Sequence, residues 1–458
     1  MKLHAVVLAA GKGTRMRSEL PKVLQQLGGS TLLQESIRAF QVLREQKPSA
    51  MTVVIGHGAE AVQAALPDLD CNWVTQQEQL GTGHAVAQAV PKFEDSELVL
   101  VLCGDVPLLT EQTLSRLIAA AEPDSPALLT VRLDDPTGYG RVLRDQHGNV
   151  NAIVEQKDGT DEQLRVTEIN TGIMAIPARP LKHWLSQLGN DNAQGEYYLT
   201  DVIAMAVADG YTVSAVVADN PAEVAGVNDK LQLADTERAL QLRHARQLMS
   251  QGLTLRDPAR FDLRGELVIG SDVEIDINVI LEGQVVLGDG VRVGANCYIR
   301  DSTLGAGSVV HPNTLIDSAI IGEECQVGPF ARIRPESELA NKARVGNFVE
   351  LKKTKLGLGS KANHLAYIGD ALVGADVNIG AGVITCNYDG AYKHVTEIGD
   401  GAFIGSDCQL VAPVKVGAGA TIGAGTTLTR EALAGELTLS RAKQTTLKGW
   451  QRPVKNKK

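Results

Sequence analysis

Aromatic side chains are scarce in this chain: Phe, Trp and Tyr together make up 4% of its 458 residues. Small and β-branched side chains, not rings, must therefore fill most of its interior. Positive charge is also in short supply. The formal net charge of −10 argues against a nucleic-acid-binding body, because neutralising phosphates calls for a basic surface. Any anionic ligand has to be met by a local cluster of cations. No stretch approaches ~18 consecutive apolar residues, and the N-terminus lacks the charged, apolar and cleavage regions of a signal peptide. The expectation is a cytoplasmic protein with no membrane partner. Six cysteines, Cys71, Cys103, Cys297, Cys325, Cys386 and Cys408, stand apart without a C-x-x-C pair, which speaks against a disulfide framework or a zinc site and for free, buried thiols.

Glycine, by contrast, is abundant, with 46 residues, about a tenth of the chain against the usual ~7%. Many of these glycines fall within a six-residue period. From Ile269 an aliphatic residue recurs at Ile275, Leu281, Leu287, Val293 and Ile299, slips by one at Leu304, and resumes at Ile321, Val327, Ile333, Leu339, Val345 and Leu351. It returns at Ile398, Ile404, Leu410, Val416, Ile422 and Leu428 after a break near Gly390 to Lys393 that reads as an inserted loop. Six matches neither the helical period of ~3.6 nor the strand period of 2, but it suits short strands stacked by repetition, one residue per turn pointing inward. Three such hexads make a triangular coil. The expected architecture is a left-handed parallel β-helix, an exception to right-handed crossovers.

The repeat divides the chain, which is in any case too long for one ordinary core. Residues 1–228 alternate strand-like runs (His4 to Ala10, Met51 to Ile55, Leu98 to Leu102) with helix-like segments such as Leu32 to Leu43, implying an α/β, Rossmann-like domain with a parallel sheet covered on both faces. Residues 229–250 read as a linker helix, and 251–458 as the β-helix domain, ending in a basic tail, Arg452 to Lys458.

Directly after the first strand comes Leu8-Ala9-Ala10-Gly11-Lys12-Gly13-Thr14-Arg15-Met16, followed by Pro21-Lys22. A glycine loop with Lys12, Arg15 and Lys22 at a strand's carboxyl end suits a polyphosphate, since backbone N–H groups and cations can approach it unobstructed. Two familiar phosphate loops are excluded. A Walker A loop needs glycine where Val6 stands, and a dinucleotide fingerprint needs it where Met16 stands.

The loop resembles the signature of the sugar-1-phosphate nucleotidyltransferases, and the likeness continues through Gln76, Gly81-Thr82, Cys103-Gly104-Asp105, Gly140, Glu155, Asn170 and Asn228. These motifs are similar to those of the bacterial bifunctional N-acetylglucosamine-1-phosphate uridyltransferase and glucosamine-1-phosphate acetyltransferase family. The resemblance implies that Leu8, Ala9, Ala10, Gly11, Lys12, Arg15, Lys22, Cys103 and Gly104 help hold UTP or UDP-N-acetylglucosamine, that Gln76, Gly81 and Thr82 meet the uracil, and that Gly140, Glu155 and Asn170 meet the sugar. Asp105, ending a buried strand, is the natural oxygen ligand for a magnesium ion, with Asn228 implied as the second.

Within the repeat, charged residues gather at Ala331 to Pro335 and Asn347 to Lys353, followed by Lys361 to Asp370, Asn378 to Gly382 and Thr385 to Gly390. These segments resemble the acetyltransferase half of the same family. Acetyl transfer to a sugar amine needs a general base, and an imidazole, with a reference pKa near ~6.5, accepts a proton at neutral pH. His364 is the candidate. The resemblance assigns Arg334, Lys352, Tyr367 and Asn378 to glucosamine 1-phosphate, and Ala381, Asn387, Tyr388, Ser406, Ala424 and Arg441 to acetyl-CoA. The implied enzyme acetylates glucosamine 1-phosphate and then transfers uridylyl from UTP, feeding peptidoglycan and lipopolysaccharide synthesis. It is expected to be a homotrimer, with Asn387 and Tyr388 placed to reach a neighbour's His364. Two alternatives are a single-activity nucleotidyltransferase with a structural or regulatory β-helix, and a non-catalytic scaffold. The intact His364 cluster argues against the first, and the intact loop and Asp105 argue against the second.

Overall fold

The computed structural model describes residues 2–47, 49–121 and 125–455. Of the basic tail, residues 456–458 lie outside the described residues. Two compact units emerge, Met1–Leu240 and Gln241–Lys458.

In the first unit, Leu98, Leu100 and Leu102 point into one hydrophobic layer while Val99 and Val101 point into another. A strand apolar on both sides has to lie between two covers. The helices Leu32–Gln46 and Glu111–Ala120 pack on the first face, whereas Thr82–Ala89, Ala178–Gln187 and Asp201–Ala208 pack on the second. The helix Leu32–Gln46 starts at a capping box in which Thr31 and Gln34 satisfy each other's backbone donors. The main strands run in the order Ser214–Val217, Ala127–Arg132, Glu168–Pro177, Glu97–Cys103, Lys2–Ala9, Ser49–Ile55 and Asn72–Thr75. The sheet is not purely parallel: Glu168–Pro177 runs antiparallel to both of its neighbours. Between Ala127–Arg132 and this strand the chain makes a hairpin, Arg141–Arg144 with Val150–Val154, where a helical crossover would have been needed to re-enter in the same direction.

In the second unit, strands of two to nine residues stack in parallel, coil upon coil, as a left-handed β-helix. It runs from Thr254–Leu255 to Leu437–Thr438, a coil beyond the periodic stretch at either end. Ile275, Leu281, Leu287, Val293, Ile299 and Leu304 point inward and are all buried. The corners take positive φ, at Asn278, Asn296 and Asn313 on one edge, and the side chains of these three form a ladder (3.0 and 3.3 Å). Asn tolerates this region and can pair along the stack. The same edge continues as Phe330, Phe348 and Leu365, all exposed, with the two phenyl rings stacked at 5.3 Å. Three of the cysteines are buried among the coils, and their thiols point at carbonyls of the next coil: Cys297 at His311, Cys325 at Ala340 and Cys408 at Gly423. Ser308 and Ser360 make the equivalent bonds. All six cysteines are free, with Cys71, Cys103 and Cys386 only partly buried.

The helix Lys230–Ser250 belongs to both units, the division falling after Leu240. Leu240 packs with Met16, Leu27 and Leu32, whereas Ala245 and Leu248 join the solenoid core.

Candidate functional site

Strands Lys2–Ala9 and Glu97–Cys103 are parallel neighbours, with Leu8 opposite Cys103, so the glycine loop and Asp105 emerge side by side at their carboxyl ends. Open α/β sheets bind ligands at this edge. A cleft of about 310 Å³ opens there, lined by Leu8, Ala9, Ala10, Gly11, Lys22, Gln76, Gly81, Thr82, Cys103 and Asp105 together with Val23, Gln79, Ala85 and Glu196. Lys12 and Arg15 are exposed on the loop. Gly13, at φ 58, lets the loop lie against Lys22, whose Cβ would be 2.6 Å from any side chain there.

Three groups that are distant in sequence meet at the mouth. The Lys22 ammonium sits against an Asp105 carboxylate oxygen and 3.2 Å from Oδ1 of Asn228. Two oxygen donors thus converge on one cation. Gly104 closes the turn through its N–H to Leu8 O (2.9 Å). Gln76 is buried, and its amide nitrogen donates to Gly81 O (3.1 Å), tying it to the turn that carries Thr82. Gly140, Glu155 and Asn170 form a second group: the Asn170 N–H donates to Gly140 O (2.9 Å), and a Cβ on Gly140 would lie 3.4 Å from the Glu155 carboxylate. Burial holds Glu155 above the usual carboxylate range, although Thr200 Oγ1 donates to it at 3.0 Å. Burial also pushes the Cys103 thiol up to about 12, with Asp105 adding to the effect, so it is no nucleophile at neutral pH. The sequence reading passed over the segment Glu196 to Thr200, which closes the cleft through Tyr197 O and Leu199 N. No motif spacing marks it, so only proximity reveals it.

On the solenoid, His364 is exposed, and its Nδ1 lies 3.1 Å from Oδ1 of Asn347 on the preceding coil. An amide oxygen can only accept, so Nδ1 carries the proton and the Nε2 lone pair is left free, as a general base requires. One coil further on each time lie Ala381, Ser406 and Ala424, whose coils are joined by the bonds Gly382 N to Leu365 O, Asp407 N to Ala381 O and Gly425 N to Ser406 O. The Arg441 guanidinium lies against Gly423 at the top of this column. Three of the residues assigned to acetyl-CoA, Ala381, Ser406 and Ala424, are thus one corner position repeated, with small side chains that leave a smooth track above His364.

On neighbouring coils Arg334 pairs with Glu350 (2.9 Å) and Lys352 with Asp370 (3.1 Å). Tyr367 and Asn387 adjoin the latter pair, and Asn378 occupies an adjacent coil. Lys393 is a residue the sequence reading left out. The hydrogen bond and charge of Lys352 hold it below the ordinary lysine range. Three cations thus share only two carboxylates, a local excess suited to a phosphate monoester. The inserted loop closes on itself through the Tyr388–Lys393 bridge. Its residue Asn387 is buried against Asp370 of its own chain. Tyr388 and Tyr392 are the exposed members.

A family model for the MobA-like NTP transferase domain matches residues 5–166, one for the GMPPB C-terminal domain matches 263–357, and one for the bacterial transferase hexapeptide repeat matches 396–430. Full-length relatives match as well. A bifunctional protein GlmU from Methylococcus capsulatus is 56% identical over all of this chain and 99% of its own length, and one from Pseudomonas putida (strain GB-1) is 56% identical over 100% of both. A third, from Alkalilimnicola ehrlichii, is 58% identical over 98% of this chain and 96% of its own.

The chain belongs to the bifunctional GlmU family.

As a GlmU chain it is a two-activity transferase, with a nucleotidyltransferase unit followed by a hexapeptide acetyltransferase unit. The loop Leu8 to Met16, Asp105 and the sugar-side group up to Glu155 fall inside the first matched region. His364 falls between the second and third, so the coils that carry it are covered by the full-length GlmU relatives alone. Among the described residues no helix is long and apolar enough to cross a membrane.

Proposed function

We propose that the solenoid acetylates glucosamine 1-phosphate with acetyl-CoA and that the N-terminal unit then joins the product to UTP, giving UDP-N-acetylglucosamine and pyrophosphate. The observation carrying this reading is the single chain that holds both the Lys22–Asp105–Asn228 convergence and a His364 with its tautomer set.

In the first reaction Arg334, Lys352 and Lys393 hold the sugar phosphate, placing the amine near His364 Nε2. The amine attacks the thioester carbonyl, His364 takes its proton, the C–S bond breaks, and the proton passes from His364 to the departing sulfur, so that coenzyme A leaves as the thiol. In the second, a phosphate oxygen of N-acetylglucosamine 1-phosphate attacks the α-phosphorus, and the bond to the β,γ-diphosphate breaks. Lys12, Arg15 and Lys22 offset the charge, Gln76 and the Gly81-Thr82 turn hold the base, and Gly140, Glu155 and Asn170 orient the sugar. The oxygens of Asp105 and Asn228 that flank the Lys22 ammonium fit a magnesium ion, which takes one or two protein oxygens and completes its shell with phosphate and water. When bound, that ion would supply charge neutralisation for the transferring phosphate.

We further infer a cytoplasmic homotrimer. The exposed Phe330, Phe348 and Leu365 edge beside His364 supports assembly, since an apolar stripe next to a half-open site favours cover by another copy. Sedimentation velocity tests it, and a monomer refutes it. The test of function is to supply each nucleoside triphosphate with N-acetylglucosamine 1-phosphate and magnesium and follow pyrophosphate, and in parallel to follow thiol release from acetyl-CoA and glucosamine 1-phosphate. Release of neither product refutes the reading, and thiol release alone refutes its first-unit half.

A further inference from the structure

Asp370 is the buried acid of the solenoid site. It lies in the strand Tyr367–Val373 at φ 49 and is 8% exposed, unlike the αL corner residues Asp272, Asp301 and Asp407, which are exposed. One carboxylate oxygen, Oδ2, receives both the Lys352 ammonium (3.1 Å) and the Asn387 amide nitrogen. Its two partners come from different places, Lys352 from the preceding coil and Asn387 from the base of the inserted loop. A carboxylate only accepts hydrogen bonds, so it forces the nitrogen of the Asn387 amide inward. The Tyr367 hydroxyl, 3.5 Å from that same nitrogen, leaves the assignment unchanged. Asn387 Oδ1, with no donor to it among the described residues, is thereby turned toward the open side. Its backbone is fixed as well, through its N–H to Thr385 O (2.9 Å) and its carbonyl to the His394 N–H (2.8 Å). The amide is therefore the one freely rotating group of this residue, and Asp370 removes that freedom.

We propose that Asp370 is a positioning residue for acetyl transfer: through its carboxylate it fixes the amide orientation of Asn387, while its ion pair occupies Lys352 until the sugar phosphate arrives. The inference rests on the reading of this cluster as the acetyl-transfer site. It makes Asp370 act through two neighbours and not on the reacting atoms. It also predicts a split between kinetic constants. Losing the charge frees the Asn387 amide to turn over, which lowers turnover, whereas Lys352, Lys393 and Arg334 lose an internal competitor for the phosphate, so substrate capture does not suffer.

The experiment uses the full chain with Asp370→Asn, Asn387→Ala and the double variant, measuring thiol release from acetyl-CoA against glucosamine 1-phosphate concentration, with pyrophosphate release from the same samples as control. Asp370→Asn is expected to lower kcat by about 10- to 100-fold with KM for the sugar phosphate unchanged or lower. In the Asn387→Ala background the same change should cost less than about threefold, because pathways that share a residue are not additive. Multiplicative losses, a loss carried by a raised KM, or an unchanged kcat overturns the proposal. Should Asp370→Asn cost the solenoid its fold, Asp370→Glu, which keeps the charge, decides: kcat within about tenfold of the parent supports positioning by charge, and a deeper loss overturns it. A parent chain that releases no thiol refutes the acetyl-transfer reading itself, whereas an active parent with additive variants refutes this inference alone.

Discussion

Gly81 stands at φ 114, and a Cβ built on it would lie 2.5 Å from Tyr197 O and 2.9 Å from Tyr197 N. Gly81→Ala therefore meets two costs. The backbone conformation is one that L-residues rarely adopt, about 1–3 kcal/mol. The contact is worse, because relief to an ordinary C···O separation of about 3.3 Å requires a shift of about 0.8 Å. Tyr197 offers little give, since its N–H donates to Leu80 O and its carbonyl accepts from Gly83 N (both 2.8 Å). The turn has to move instead, carrying Thr82 and, through the Gly81 O bond, the Gln76 amide. A displacement near 1 Å costs about 10²-fold in rate, so pyrophosphate release should fall by about 50- to 100-fold while thiol release by the solenoid holds. Gly138→Ala is the control. Its φ is 92, but nothing lies within 4 Å of the added Cβ, so it carries the backbone cost without the crowding. Unfolding followed by fluorescence of the buried Trp184 should show both midpoints lowered by a few °C, roughly 2–4 °C per kcal/mol for a unit of this size. Equal uridyl-transfer activity in the two variants would refute the crowding argument.

Asp105→Ala should lower pyrophosphate release by about 10²- to 10³-fold, and a chelator should do the same to the parent, with thiol release unaffected; equal loss of both activities in a folded chain would show that the sites are not separate. His364→Ala should lower thiol release by about 10²- to 10⁴-fold and leave pyrophosphate release intact, and retention of most acetyl transfer near neutral pH would remove His364 as the base. His4 is fully buried, its Nε2 2.8 Å from Thr52 Oγ1, and burial lowers its pKa from the ordinary 6.5 despite the nearby Glu97. Both folded and unfolded chains then hold a neutral His4 above pH 6.5. Below it the unfolded chain takes up the proton first, so stability of the N-terminal unit should decline as pH falls through and below that value. The Trp184 unfolding midpoint, compared with that of His4→Gln, checks the sign, and a parent more stable than the variant in acid would reverse it.

The inward column of the solenoid was legible because every coil repeats one demand, an aliphatic side chain such as Ile275 or Val293 at the same wall. The slip at Leu304 marks a shorter corner and leaves the column intact. The end coils were not legible: Thr254–Leu255 and Leu437–Thr438 have a neighbour on one side only, which relaxes the pattern. The reversed strand Glu168–Pro177 was hidden for a different reason, since an apolar run such as Ile173 to Ile176 reads alike in either direction. At the sites, Lys22 and Asp105 were found because each ends a strand or loop with a recognisable chemical role. Asp370 and Lys393 were not. Aspartates are frequent at coil corners, as at Asp272, Asp301 and Asp407, and what separates Asp370 from them is burial, a property of the stacked coils that the one-dimensional pattern does not carry.

Because His364, Ala381, Ser406, Ala424 and Arg441 occupy one corner on successive coils, the solenoid works as a ruler whose graduations are single turns. Strands stack about 4.8 Å apart, so the four steps from His364 to the Arg441 backbone measure about 19 Å. In a helix bundle that distance would depend on how separate elements pack; here it follows from a count of coils. A whole coil excised between Ser406 and Ala424 would leave the stacking scheme intact, since each coil touches only its neighbours. The track above His364 would nevertheless lose one graduation, and on the proposed acetyl-CoA reading the chain would be cut to a shorter acyl donor.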